Sequence, residues 1–183
     1  MRNYFIQYKP FLIFLGKFLL AYLVLTFIYE SYLNQFDKNK FEVDGFTELV
    51  ASQTVQSLTF TGQDAYQMPN LEASSVKLFY NKKYIAQIIE GCNGLSVIVL
   101  FIAFVIAFTG KLKHTILYII FGSLSIHILN IIRIALLCIL IYKFPAQEEI
   151  LHGVIFPLII YGFVFLLWVI WVNKFSNYAK KTS

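Results

Sequence analysis

The sequence predicts an all-α integral membrane protein, a bundle of about four transmembrane helices with one sizeable extracytoplasmic loop. The chain has 183 residues, of which 58% are hydrophobic and only 14% are charged. Its mean hydropathy is +0.68, and a soluble globular domain carries roughly 25% charged residues. The net charge of +5 does not indicate nucleic-acid binding, because the basic residues flank apolar runs. We treat residues 1–183 as a single membrane domain.

Four apolar runs predict the membrane spans, at residues 11–29, 92–109, 115–142 and 153–172. About 20 apolar residues cross a bilayer, so the second run is slightly short. The first run contains Lys17, which lies near enough to its start to snorkel. It also lacks a small-residue cleavage site, so we expect it to stay in the protein as an anchor. The polar segment 30–91 is then the outer loop.

The distribution of charge predicts that both termini are cytoplasmic. With this orientation every acidic residue of the chain lies outside. The basic residues at the inner ends are Arg2, Lys9, Lys111, Lys113, Lys174, Lys180 and Lys181. Cytoplasmic loops carry an excess of Lys and Arg, which favours this orientation over its inverse.

The outer loop contains two ordered segments by its pattern. The stretch "DGFTELVASQTVQSLTF" predicts a helix with Asp44 as N-cap. Its apolar stripe, which would suit a helix lying on the membrane surface, comprises Phe46, Leu49, Val50 and Thr54 or Leu58. The stretch "SVKLFYNKKYIAQIIE" predicts two short strands around Asn81-Lys82, a possible hairpin that leads into Cys92.

Three chemically capable side chains are predicted at one depth. At about 1.5 Å per helical residue, Cys92, Arg133 and His152 lie about 27, 30 and 33 Å above the inner ends of their helices. The hydrocarbon core is about 30 Å thick. We therefore expect the three to meet near its outer boundary.

Cys92 is interpreted as a nucleophile. A helix N-terminus favours the thiolate, although Glu90 opposes it through like charge. Gly91 and Gly94 permit a tight turn and the close approach of a peptide. Two alternatives remain open: a small packing residue, as we expect for Cys138, or a Cys92–Cys138 disulfide.

Arg133 belongs to a polar stripe that is predicted to face the bundle interior. The stripe comprises Ser123, His127, Asn130 and Arg133. An arginine well inside a span costs roughly 2.5–3.5 kcal/mol on insertion scales. Near the outer boundary the cost is smaller, but the residue still seeks a polar partner. Asn130, one turn earlier, would position the arginine or the substrate backbone. The alternative is a structural arginine that packs helices or reaches lipid phosphates.

His152 is the candidate proton shuttle, because its unperturbed pKa is near neutrality. Glu148 or Glu149 would orient its ring, and Pro157 is expected to kink the helix just below it. The alternative is an interfacial histidine that caps a helix. Neither His114 nor His127 is assigned to catalysis.

The motifs "EGCNGLS", "NIIRIALL" and "LHGVIFP" resemble the exosortase/archaeosortase family, most clearly over Ile88 to Tyr161. The short chain looks most like the exosortase F type. The resemblance implies a cysteine protease or transpeptidase of the bacterial inner membrane, with Cys92, Arg133 and His152 as its catalytic residues. Asn130 and Glu149 are the supporting residues that we assign. Many relatives have Ser where this chain has Asn93.

The resemblance also implies a partner: a secreted protein whose C-terminus carries a short motif, a transmembrane helix and a basic tail. The site would face the periplasm, with the lipid bilayer as its surroundings, and no nucleic acid, metal or other cofactor is expected. One alternative is a non-enzymatic membrane assembly or transport-associated protein. Another is a thiol hydrolase or acyltransferase that acts on lipid.

Overall fold

The structure is a computed structural model that describes residues 2–108 and 110–176, and most of this part is helical, as predicted. The helices are α1 (Arg2–Leu33), α2 (Gly45–Phe60), α3 (Leu95–Ala107), α4 (Leu112–Lys143) and a continuous helical segment α5 (Pro145–Phe175). The strands are β1 (Ala65–Pro69), β2 (Val76–Tyr80) and β3 (Lys83–Ile88).

Three of the described helices are long and apolar enough to cross a membrane: α1 from Tyr8 onward, α4 and α5. The apolar helix α3 has only 13 residues, or about 20 Å at 1.5 Å per residue. The hydrocarbon core is about 30 Å thick. The predicted count of about four spans is therefore not confirmed. The second run is shorter than predicted because Gly94, with φ of +85°, precedes the first helical residue.

The outer loop contains the predicted helix, with Asp44 as its N-cap. The Oδ1 atom of Asp44 accepts hydrogen bonds from the backbone N–H groups of Phe46 (3.1 Å) and Thr47 (2.9 Å). The buried face of α2 is formed by Thr47, Val50, Ala51, Thr54 and Leu58. The predicted stripe is wrong at Leu49, which is 46% exposed. This face packs on the sheet and on α4, so much of the apolar surface of α2 is covered by protein.

The predicted hairpin is present and leads into Cys92. Strands β2 and β3 are antiparallel around Asn81-Lys82, whose φ angles of 49° and 63° are those that a two-residue type I′ turn requires. The sequence pattern missed β1, which pairs with the other side of β2. The sheet order is β1-β2-β3, so β3 is an outer strand.

Close packing fixes α3 among the longer helices and thereby fixes the segment that precedes it. The ring of Phe104 stacks on Trp168 of α5 at 4.3 Å and meets Phe14 of α1 edge-on at 5.7 Å. Phe101 is fully buried against Gly122 of α4, where a Cβ would lie 2.2 Å from the phenyl ring. Small residues let helix backbones approach closely in membranes. The start of α3 is thus held at a defined position relative to α4 and α5.

Candidate active site

Cys92 lies on a tight turn that precedes α3. Glu90–Cys92 form a single 3₁₀ turn, and the Cys92 N–H donates to the carbonyl of Ile89 at 2.9 Å. The helix begins three residues later, at Leu95. The predicted place of Cys92 at the helix N-terminus is therefore only approximate. Its thiol is half-buried, and both cysteines are free, so the structure contains no Cys92–Cys138 disulfide.

Asn93 anchors this turn from inside the protein. It is fully buried, and its Oδ1 accepts from the N–H of Leu95 at 2.8 Å. Its Nδ2 donates to Oγ1 of Thr47 at 3.0 Å, and that hydroxyl donates to Oδ2 of Asp44 at 2.6 Å. The cap of α2 and the cysteine turn therefore share one buried network. Sequence reasoning missed Asn93 and Thr47 as positioning residues. For Thr47 the available signal was its place three residues after an N-cap aspartate.

Asn130 joins the cysteine turn to the arginine. Its Nδ2 donates to the carbonyl of Cys92 at 3.1 Å, while its Oδ1 accepts from Nη1 of Arg133 at 3.3 Å. The close approach depends on Gly94, where a Cβ would lie 3.0 Å from the Asn130 Nδ2. Asn130 itself is buried. The geometry suits the positioning role that the sequence suggested for it.

Arg133 has a buried donor that no protein group uses. In the part of the chain that the structure describes, its Nε atom is buried without a hydrogen-bond partner, and no carboxylate lies within ion-pair distance of it. Buried polar groups are nearly always satisfied, and among the described residues this Nε atom is one of four exceptions, with Ser123 Oγ, His127 Nδ1 and Trp168 Nε1. The guanidinium as a whole is half-buried.

The three predicted side chains line one cavity. Cys92, Arg133 and His152, contributed by three different segments, surround a space of about 210 Å³. Pro157 and Tyr161 of α5 form part of its wall. Tyr161 was not singled out because nothing separates it, in sequence, from the other tyrosines of the chain. The cavity is smaller than a typical ligand pocket of about 300–1,000 Å³, so it fits a reacting group rather than a whole substrate.

His152 occupies an irregular turn of α5. The helical segment begins at Pro145 rather than at Gly153, and His152 lies within a π turn, Leu151–Ile155. Pro157 follows two residues later and has no N–H for a regular helical bond. Because π turns widen the helix locally, the irregularity lies where the sequence predicted a kink. The imidazole is exposed.

A second, larger cleft of about 600 Å³ opens beside the first and also reaches Cys92 and His152. It runs along β3 and is closed on its far side by the end of α4 and the start of α5. Both Glu148 and Glu149 are exposed. Glu148 lines the cleft together with His152, whereas Glu149 lines neither cavity. Of the two carboxylates considered from the sequence, the structure thus brings Glu148 to the site.

This arrangement can perform thiol chemistry on a carbonyl compound. A thiol nucleophile needs a base and a stabiliser for the developing oxyanion, and His152 and Arg133 line the same cavity as Cys92. Within residues 2–108 and 110–176 no three His, Cys, Asp or Glu side chains converge in a way that would hold a metal ion.

Comparison with known protein families identifies the family of the chain. The model of the transmembrane exosortase family (Exosortase_EpsH) matches residues 11–172, a range that contains every residue of the site. Searches of curated proteins and of solved structures give no match. The three membrane-length helices agree with a multi-pass membrane protein. The chain therefore belongs to the transmembrane exosortase family.

Proposed function

We propose that this protein is a membrane-embedded cysteine protease or transpeptidase of the short exosortase F type. It processes the C-terminal sorting signals of secreted proteins at the outer face of the membrane. The observation that carries the proposal is the single cavity lined by Cys92, Arg133 and His152. Thiol, guanidinium and imidazole are together sufficient for acyl transfer from a peptide.

In the first step His152 accepts the proton of the Cys92 thiol, and the sulfur attacks the peptide carbonyl carbon. A C–S bond forms while the carbonyl π electrons move onto oxygen. The guanidinium of Arg133, which lines the cavity, donates to this oxyanion, in a site where low dielectric strengthens the interaction. The intermediate collapses, the C–N bond breaks, and the leaving amine takes the proton from His152. Water or an amine acceptor then resolves the thioester.

The proposed substrate is a secreted protein that ends in a short motif, a transmembrane helix and a basic tail. We place the enzyme in the bacterial inner membrane with both termini in the cytoplasm and the site facing the periplasm. The distribution of charge supports this orientation, because all ten acidic residues would lie outside. The substrate's own basic tail would then remain inside, in accordance with the same rule.

The test replaces each of the two cysteines in turn. Mass spectrometry of the C-termini of secreted proteins, in cells that produce each variant, identifies the signals that are cleaved. Cys92→Ala and Cys92→Ser are expected to accumulate in the membrane and to leave every signal uncut. Cys138→Ala is the matched control, because Cys138 is 1% exposed and packs in the core beneath the sheet; it is expected to cleave.

Normal cleavage by Cys92→Ala would refute the proposal that the protein is a cysteine protease or transpeptidase with Cys92 as its nucleophile. It is the result that the alternative, a non-enzymatic assembly or transport-associated membrane protein, predicts.

A further inference from the structure

The larger cleft is bordered by the edge of a strand rather than by its face. Five consecutive residues of β3, from Lys83 to Gln87, line it. Side chains alternate between the two faces of a strand, so a cleft that lay on one face would contact every second residue. A bulge at Ile85 interrupts this alternation, but Tyr84 and Gln87 lie opposite Phe79 and Lys77, and Lys83 and Ala86 lie opposite Tyr80 and Leu78. Both faces of β3 therefore contribute to the lining, which indicates that the cleft follows the backbone edge. Strand β3 pairs with β2 on its other side, and no strand among the described residues covers this edge.

The register of the sheet shows which backbone groups of β3 face the cleft. Two backbone hydrogen bonds flank the pairing of β1 with β2: the Asn70 N–H donates to the Ser75 carbonyl (3.0 Å), and the Asn81 N–H donates to the Asp64 carbonyl (2.7 Å). They show that the odd-numbered residues of β2 form their backbone hydrogen bonds with β1. Even-numbered residues of β2 therefore bond toward β3, because bonded and non-bonded pairs alternate in an antiparallel ladder. Gln87 pairs with Lys77, an odd-numbered residue, so its N–H and C=O point into the cleft. Tyr84, opposite Phe79, does the same.

Strand β3 runs along α4 toward Cys92. At the start of the strand, Nζ of Lys83 lies 5.5 Å from the ring centroid of Tyr142. At the end of the cleft, the backbone carbonyl of Cys92 accepts a hydrogen bond from Asn130 of α4. The two contacts are twelve residues apart on α4, or about 18 Å. In the proposed orientation the C-terminal end of α4 is the outer one, so β3 descends from the outside toward the membrane.

We propose that the substrate is bound by β-strand addition: its extended segment on the N-terminal side of the cleaved bond pairs in parallel with the free edge of β3. This inference rests on the proposed function, since it identifies how that site holds its peptide. The segment enters beside Lys83, passes Gln87 and delivers its last carbonyl to Cys92. The substrate chain then continues into the membrane as its transmembrane helix. A strand that descends toward the membrane, as this substrate must, can pair only in parallel with β3.

The cleft has the dimensions of a short strand. Because of the bulge, Lys83 to Gln87 span the three steps from Tyr80 to Lys77 of β2, which at about 3.3 Å each give roughly 10 Å, room for about three residues, before the cleft continues to Cys92. The far wall, which includes Leu137, Ile141 and Pro145, would contact side chains on one face. Main-chain hydrogen bonds supply affinity in such complexes and pockets for alternate side chains supply specificity. The cleft continues into the catalytic cavity, because Cys92 and His152 line both.

The experiment uses acetylated oligo-alanine chloromethyl ketones of one to four residues and the full chain in lipid nanodiscs. The Cys92 sulfur displaces chloride: the C–S bond forms, the C–Cl bond breaks and chloride leaves. Mass spectrometry measures the second-order rate of Cys92 alkylation, with Cys138 as an internal control. Two or more added backbone hydrogen bonds are expected to raise the rate about tenfold or more between the one-residue and the four-residue reagent.

N-methylation tests whether the gain comes from strand pairing. In a paired strand only every second residue directs its N–H toward the neighbouring strand. Two four-residue reagents carry N-methyl-alanine at the second or at the third residue. One is expected to lose the gain in rate and the other to keep it. Equal behaviour of the two reagents, or no gain with length, would overturn strand addition.

Matched proline variants test which edge is used. Gln87→Pro removes an N–H that faces the cleft, and Gln87→Ala keeps that N–H while losing the side-chain bonds to Asn70 and Ser75. Gln67→Pro removes the corresponding N–H from the opposite edge of the sheet. Gln67 of β1 pairs with Leu78, and Leu78 forms its backbone hydrogen bonds with β3, so the Gln67 N–H points away from the sheet. Gln87→Pro is expected to lose the gain in rate between the one-residue and the four-residue reagent. The other two variants are expected to keep it.

The outcomes separate this inference from the proposed function. If none of the reagents alkylates Cys92 faster than Cys138, the nucleophile itself is rejected, and strand addition with it. If Cys92 reacts with the one-residue reagent but reagent length has no effect, the nucleophile stands and strand addition is wrong. Loss of the length gain in Gln67→Pro but not in Gln87→Pro would place the peptide on the opposite edge of the sheet and would also overturn the inference.

Discussion

The two glycines that flank Cys92 offer a direct test of how the cysteine turn is held. Gly94 has φ of +85°, and a Cβ there would lie 3.0 Å from Nδ2 and 3.1 Å from Cγ of Asn130. A left-handed conformation costs a non-glycine residue about 1–2 kcal/mol. Displacement of Asn130 threatens its bonds to Cys92 and Arg133, each worth about 1 kcal/mol. Gly94→Ala is therefore expected to lower the free energy of unfolding by about 2–4 kcal/mol.

The matched control is Gly91→Ala. Gly91 does not have a positive φ, and a Cβ there meets no atom within 4 Å. The Gly91→Ala substitution should therefore change the free energy of unfolding of the protein by no more than about 0.5 kcal/mol. Denaturant titration of both variants in the same detergent measures the difference. Alkylation of Cys92 by a one-residue chloromethyl ketone reports whether the thiol has moved. If Gly94→Ala is as stable and as reactive as Gly91→Ala, the described contact between Gly94 and Asn130 does not hold the site.

Three further substitutions test the network, the helix packing and the anion site. Thr47→Val preserves shape but removes the hydroxyl between Asn93 and Asp44, so it should lower the free energy of unfolding by about 1–3 kcal/mol; an unchanged denaturation midpoint would contradict the network. Gly122→Ala places a methyl group 2.2 Å from the buried Phe101 ring and should cost about 1–3 kcal/mol by the same titration; unaltered stability would contradict the packing. Arg133→Lys keeps the charge but removes the Nε–H donor and the planar geometry of the guanidinium. The variant should fold and lose substrate cleavage at least about tenfold. Full cleavage, measured by mass spectrometry of the C-termini of secreted proteins, would contradict the role of Arg133 in stabilising the oxyanion.

Features that depend on local chemistry could be read from the sequence. The capping aspartate of α2 and the Asn81-Lys82 turn each have a composition that favours one backbone conformation. The apolar runs 11–29, 115–142 and 153–172 follow from length and hydropathy alone. Counting helical residues also placed Cys92, Arg133 and His152 at one depth, and they line one cavity.

Features that depend on tertiary contacts could not be read in this way. Strand β1 carries Pro69 and little alternation, so only pairing with β2 reveals it. The start of α3 at Leu95 follows from the left-handed Gly94, which a hydropathy window does not detect. Whether Glu148 or Glu149 faces the site depends on the rotation of this turn about the helix axis. The π turn before Pro157 changes that rotation relative to a regular helix. The bonds of Asn93 to α2 join residues 46 positions apart.

The most direct measurement is the chemical nature of the new C-terminus that the proposed cleavage would produce when the purified protein is incubated with a sorting-signal substrate and hydroxylamine. Hydroxylamine attacks a thioester in competition with water, so an acyl-enzyme on Cys92 predicts a product that ends in a hydroxamate, detectable by mass spectrometry. Cys92→Ala is expected to give no cleaved product. A product that ends only in carboxylate at saturating hydroxylamine, or hydroxamate formed by Cys92→Ala, would contradict the account.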